Sequence, residues 1–486
     1  MRYLAYTLFI LTCSITGCAD DLDELSYQSS ASKAAQTESK DVSQSSPKTL
    51  GELSYQALGE FEGEFGGYPL WVSNNPEDVL SYGLLSSTRP PRSAHPRSEV
   101  AEAPLPELIW YDEGTLASES QGCREGTYRG LNLYLAHILS SSHLRGDRRL
   151  SIIAEADESA SLSFSGDLGS TSWSDLWGYK TVRSDWLGAQ IAKDSLNRLG
   201  NLGLDYSPLT GETFMEAGEY QVVASVRADS LVEGGFTLES QGGCFALHVV
   251  AHQGDLDLDQ GLPDYALGDV KWPGWYQGAG YGRAAGLYEG ATWAGAAFYS
   301  LTGPAQAFGW RLLDAKQSPV ALGHHKDSAQ VLFGGYGVVY EPRITLSNDT
   351  QQCLSAQVGF TSYANFAPRP GEQSLGQQRT ASVRDLEASD PSKRPTMIWN
   401  GPMQFSQQLR SGQMIDQRVE VILKPEIKAH ERNQPNQVPS GLHTTFFRWD
   451  MLPGETRAAL FHIPVPGYII APAALTVVTT PCKSSN

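Results

Sequence analysis

Short stretches in which apolar and polar residues alternate, cut at close intervals by Gly and Pro, limit this chain more than any other feature. Ser161-Leu162-Ser163-Phe164-Ser165 alternates strictly. Tyr220, Val222, Ala224, Val226 and Ala228 fall on one face of an extended chain, with Gln221, Ser225 and Arg227 opposite. A period of two marks a half-buried strand. Residues 149–156, 244–251, 337–346, 419–423 and 475–479 read the same way. The 48 Gly and 27 Pro supply the turns that many short strands need and work against long helices. One helix is expected, over 185–199, where Asp185 can cap, Leu187, Ile191 and Leu196 form a stripe, and Gly200 can end it. The expected fold is mainly β: two tandem antiparallel β-sandwich-like domains with one short helix in the first.

Hydrophobic residues at 41% against charged residues at 19% are enough for sizeable cores. A Gly-, Asp- and Pro-rich stretch divides the chain, giving a β domain over 50–254, a linker or loop over 255–280, a second β domain over 281–482 and a tail over 483–486. Residues 368–393 read as a long polar loop inside the second domain. The net charge of −18 argues against nucleic acid and against an anionic membrane surface as partners.

The N-terminus carries an address. Arg2 precedes an apolar run, Leu4 to Ile15, which closes on Ile15-Thr16-Gly17-Cys18. Basic start, apolar run and small residues are the parts of an export signal. Ile-Thr-Gly-Cys resembles the lipobox of bacterial lipoproteins, which implies cleavage after residue 17, acylation of Cys18 and attachment to a membrane through lipid. More than one acyl chain makes such an anchor stable. By resemblance to the sorting rules of enterobacterial lipoproteins, Ala19 at the next position implies the outer membrane, on its periplasmic or its surface face. Residues 18–49, rich in Ser, Ala, Gln, Asp and Lys, read as a flexible tether. The best further apolar stretch, 468–480, is short for a bilayer span and broken by Pro472.

Cys13 leaves with the signal and Cys18 takes lipid, so Cys123, Cys244, Cys353 and Cys482 remain for an oxidising compartment. Three connectivities are open. One staple per domain gives Cys123–Cys244 and Cys353–Cys482. The echo of Glu119-Ser120-Gln121-Gly122-Cys123 in Glu239-Ser240-Gln241-Gly242-Gly243-Cys244 mildly supports the first pair.

Catalytic signatures are sparse. The chain has no Gly-x-Ser-x-Gly, no His-Glu-x-x-His and no P-loop, and Gly278, Gly280 and Gly282 have the wrong spacing for a dinucleotide loop. His248 and His252 share a strand face but would stand about 13 Å apart, too far for one metal ion. Asp255, Asp257 and Asp259 form a candidate calcium loop, since alternate Asp can aim hard oxygens at one cation. Gly261 falls one place late for that motif and no Glu follows at the twelfth position, so a solvated acidic loop is the favoured reading. Trp272, Trp275 and Tyr276, followed by Tyr281, Tyr288 and Trp293, could stack on sugars if exposed and are core if buried. Asp175 and Asp185, beside Trp173, Trp177 and Trp186, are the most suggestive carboxylates for a glycosidase pair.

Pro69 to Val79, then Gly83-Leu84-Leu85-Ser86-Ser87-Thr88-Arg89-Pro90-Pro91, resemble the opening of a family of exported proteins of unknown function best known in cyanobacteria. Similarity continues at Leu133-Tyr134-Leu135-Ala136-His137, Gly146-Asp147-Arg148-Arg149, Tyr281 to Gly286, Gly335 to Tyr340, Pro453-Gly454-Glu455 and Thr476-Val477-Val478. These motifs are collinear over most of 65–480. The lipobox, the four Cys and the acidic loop depart from the family pattern. The resemblance implies shape and export; it supplies no activity and no catalytic residues. The expected function is therefore a lipid-anchored envelope protein with a non-catalytic structural or binding role, its ligand a glycan or another envelope protein. The rivals are an envelope hydrolase acting on polysaccharide or peptidoglycan, and a subunit of an export or motility machine.

Overall fold

The computed structural model describes residues 57–59, 61–74, 78–89, 108–110, 117–171, 209–266, 268–269, 284–304, 306–312, 317–325, 331–332, 335–362, 399–423, 443–465 and 473–483. The chain is mainly β, as the alternation predicts. Its strands form four sheets, of five, ten, four and six strands. A single helical turn spans 117–119; the helix expected over 185–199 lies outside the described residues. Every stretch read as a strand is one: Ala160–Thr171, Arg148–Ala156, Phe245–Gln253, Val339–Asn348, Met414–Leu423 and Ala473–Pro481.

The ten-stranded sheet contributes to two cores. Its inner strands are Leu70–Ser73, Gly130–Ile138, Leu231–Gln241 and Ala285–Tyr288. On one face Trp71, Leu133, Leu135, Phe236 and Leu238 share a buried cluster with Leu150, Ile152, Phe245, Leu247 and Val249 of the four-stranded sheet. On the other, Leu70, Val72, Tyr134 and Tyr288 join Trp293, Tyr340 and Phe461 of the six-stranded sheet and Phe308, Val358 and Leu475 of the five-stranded sheet. Leu70-Trp71-Val72 is continuously apolar because both its faces are covered. Each such fully buried side chain contributes about 1.5–3 kcal/mol.

Pairing links segments far apart in sequence. Leu70–Ser73 runs parallel to Gly130–Ile138 and antiparallel to Ala285–Tyr288. Ala57–Gly59 pairs with Ala307–Leu312, and Glu62–Gly66 with Thr292–Leu301. Residues before 75 thus form strands with residues after 280. Cys123 is bonded to Cys244 and Cys353 to Cys482, the pairing expected from one staple per domain.

One strand departs from its sequence pattern. A bulge falls between Val222 and Ala224 in Tyr220–Arg227. Val222 lies opposite Ile153, while Ala224 lies opposite Ile152. Ile152 belongs to the main cluster and Ile153 to a small cluster on the other face. Tyr220 and Val222 therefore share a face with Ile153, and Ala224 and Val226 face the core. The extra residue, Val223, is where a strict period of two fails.

Candidate functional site

The second face of the ten-stranded sheet leaves the apolar core along part of its length and becomes polar. In register, Asn132 lies opposite Thr237 and Thr237 opposite Ser165; Gly130 lies opposite Glu239 and Glu239 opposite Ser163. Alternation sends these side chains to one face and Leu131, Leu162 and Leu238 into the core. A groove of about 430 Å³ lies here, with Asn132, Ser163, Ser165, Thr237 and Glu239 among its residues. Ala291, Thr292, Gly337 and Val339, from the C-terminal half, line it too. Gly337 has φ +80°, and a Cβ on it would press on the Cβ of Tyr134.

The groove is held in shape by its own hydrogen bonds. Thr237 Oγ1 donates to Asn132 Oδ1 at 2.7 Å, and Asn132 Nδ2 donates to the Tyr68 carbonyl at 3.1 Å. The two bonds fix which way the amide faces. The Tyr68 hydroxyl lies beside Glu239; burial first, then the Glu239 charge, raises its pKa. On the adjoining strand Leu209–Met215, Phe214 lies opposite Ser161, on the face of Ser163 and Ser165, and is 62% exposed. This arrangement offers hydroxyls, an amide, a carboxylate and aromatic rings to a ligand, and it presents no activated nucleophile.

A second constellation lies in the four-stranded sheet. Ser87 Oγ is 2.9 Å from His248 Nδ1, and His248 Nε2 is 3.1 Å from Glu155 Oε2. Arg89 Nε donates to Glu155 at 2.8 Å and its Nη2 to Asp157 at 3.1 Å; Arg124 also pairs with Asp157. Burial raises the Glu155 pKa, but the hydrogen bonds from His248 and Arg89 outweigh it and hold it down at about 2. Burial keeps the His248 pKa below its usual value despite Glu155. A neutral His248 then donates from Nε2 to the carboxylate and accepts the Ser87 proton at Nδ1, while Ser87 Oγ accepts from the Arg89 backbone N–H at 3.1 Å. Ser, His and acid are the types of a hydrolytic relay, but each imidazole nitrogen holds the partner that the other holds in the serine-protease relay. Ser87 is 4% exposed and His248 1%, so in this arrangement no substrate carbonyl reaches the hydroxyl. These hydrogen bonds tie Ser87 through His248, on the neighbouring strand, to Glu155 on the strand beyond it.

Within the first core, Ser86 Oγ donates to Ser73 Oγ at 2.6 Å, and Ser73 Oγ lies 2.8 Å from His137 Nε2. His252 Nε2 lies 2.7 Å from Ser151 Oγ. His248 and His252 are thus engaged with different serines. Glu233 is fully buried: Tyr134 donates to its Oε1 at 2.8 Å, its Oε2 has no hydrogen-bond partner among the described residues, and burial pushes its pKa up to about 7.

The sequence-derived candidates fare unevenly. Asp255, Asp257 and Asp259 are exposed, while the alternating Leu256 and Leu258 pack toward Leu84, Ile153 and Val250. Asp257 Oδ1 accepts the Asp259 backbone N–H at 3.0 Å, a local turn. Among the described residues no three His, Cys, Asp or Glu side chains gather as metal ligands. Tyr288 and Trp293 are core. Cys18, Trp272, Trp275, Tyr276, Asp175 and Asp185 lie outside the described residues. Asn132, Thr237, Glu239 and Tyr68 were not singled out by the sequence, because polar residues on alternating positions look like any solvated strand face. Glu155 and His248 carry a faint signal: each is a polar residue inside an apolar run.

The chain matches no protein-family model and no curated protein.

Proposed function

We propose that this chain is a lipid-anchored protein of the bacterial envelope, attached through Cys18, whose β body binds a glycan without transforming it. One observation carries the binding reading: a groove lined by Asn132, Ser163, Ser165, Thr237 and Glu239, hydrogen-bonded into a fixed shape. A pre-shaped polar groove keeps its ordering cost low on binding. The outer membrane is the favoured location, on the ground of Ala19 after the lipobox. A glycan array probed with the parent protein and with Thr237→Trp, which fills the groove, tests the reading. Signals are expected from the parent and not from the variant; equal signals from both would remove the groove as the site.

The hydrolase alternative has one observation in its favour, the Ser87–His248–Glu155 chain. A fluorophosphonate probe that labels Ser87 in the folded protein would establish that alternative. On the binding reading Ser87 stays unlabelled.

A further inference from the structure

The rim of the groove narrows the kind of glycan it can take. Tyr68 stands there, between strands Glu62–Gly66 and Leu70–Ser73. A Cβ on Gly130 would collide with three carbons of the Tyr68 ring, so only glycine at 130 lets the ring lie against the sheet. The hydroxyl lies beside Glu239, and the Tyr68 backbone carbonyl accepts from Asn132. The ring thus lies against the sheet at Gly130 on an anchored backbone, yet the residue is 37% exposed. Phe214 occupies the same sheet face three strands beyond Gly130, the residue against which the Tyr68 ring lies. Strand spacing and rise put the Gly130 and Phe214 Cα positions about 16 Å apart, roughly the length of three pyranose rings.

We propose that Tyr68 and Phe214 are stacking platforms for a linear glycan that crosses the strands through the groove, and that this glycan is uncharged or an amino sugar. The proposal deepens the groove reading and rests on it. Pyranoses with equatorial hydroxyls gather their C–H bonds on the ring faces, which stack on aromatic rings. Their hydroxyls then point sideways, toward the hydroxyls and amide of Ser163, Ser165, Thr237 and Asn132. Glu239 lines the same groove and, among the described residues, no Lys or Arg does. An acidic chain would set like charge against Glu239 with no cation to compensate.

Calorimetry on the full chain in detergent tests this with four probes: cello- and chito-oligosaccharides, deacetylated chito-oligosaccharides and oligogalacturonate. At least one of the first three should bind, and oligogalacturonate at least about tenfold more weakly. Tyr68→Ala should weaken binding about tenfold and Tyr68→Phe by no more than about threefold. Gly130→Ala should act like Tyr68→Ala by displacing the ring. Phe214→Ser should weaken a tetrasaccharide several-fold and leave a disaccharide unchanged. Phe298→Ser, an equally exposed aromatic on the six-stranded sheet, is the control and should change nothing. Circular dichroism identifies any variant that fails to fold; Tyr68→Ala is a surface truncation and stands in for Gly130→Ala if that one does. Preference for oligogalacturonate, or binding by no probe, overturns the proposal. Binding lost in Thr237→Trp but intact in Tyr68→Ala and Phe214→Ser rejects the platforms and keeps the groove. Binding intact in Thr237→Trp rejects the groove itself.

Discussion

Glu233 and Glu155 are two buried carboxyls with opposite fates. Glu233 accepts a hydrogen bond from the Tyr134 hydroxyl and, among the described residues, from no other group, and burial lifts its pKa from 4.5 to about 7. The folded state therefore binds more protons at this site than the unfolded chain between pH 4.5 and about 7. Stability contributed by the neutral form is full below the lower value and is lost as pH rises through the upper one. The shift corresponds to about 3 kcal/mol at most. Urea unfolding of Glu233→Gln should accordingly show a gain over the parent that is larger at pH 8 than at pH 5; an equal difference at both values would refute the assignment. Glu155 runs the other way, its pKa held at about 2 by His248 and Arg89. Its contribution is present above the unfolded value near 4.5 and is lost as pH falls toward 2. Glu155→Ala leaves Arg89 and His248 without their shared partner and should cost about 3–5 kcal/mol at pH 7 by chemical denaturation. A loss below about 1 kcal/mol, the range of an exposed pair, would mean that the pairing is open to water.

At the scale of strands and turns, much was legible because alternation is a local property. Leu162 and Phe164 between serines predict a strand in the place where Ala160–Thr171 runs. The bulge at Val223 was not legible: Val222-Val223-Ala224 are all small and apolar, and only the pairing with Ile152 and Ile153 decides which turns inward. The groove was hidden for a related reason. Ser163, Thr237 and Asn132 each look like solvated strand positions, and their adjacency arises from pairing between residues over seventy apart in sequence. Gly337 shows how a turn serves the groove. It holds φ +80° and sits against Tyr134, so Gly337→Ala should destabilise by about 1–3 kcal/mol, read as a lower unfolding midpoint. An unchanged midpoint would show that Tyr134 can move away.

For the whole molecule, the sequence pointed to the chemistry of the cysteines better than to the path of the chain. The expectation of an export signal and of four Cys left to pair leads to two disulfides, and both are present. That Leu70–Ser73 would lie between Gly130–Ile138 and Ala285–Tyr288 depends on long-range register, which no local pattern encodes. The Cys353–Cys482 bond closes a separation of 129 residues. Replacing both by Ser should cost about 4–5 kcal/mol in the chain-entropy model, measured by denaturant titration; no change would mean that the unfolded chain is already compact there. The proposed anchor makes its own prediction: radiolabelled palmitate should enter the parent protein and not Cys18→Ser, which should leave the membrane fraction. The groove lies where one face of the ten-stranded sheet leaves its apolar core, and binding there is the centre of the account. Hydrogen–deuterium exchange with and without the bound oligosaccharide locates the site most directly. Added slowing of exchange is predicted at residues 130–134, 161–166 and 235–241, with none over 245–253. Slowing confined to the four-stranded sheet around Ser87 and His248 would contradict it.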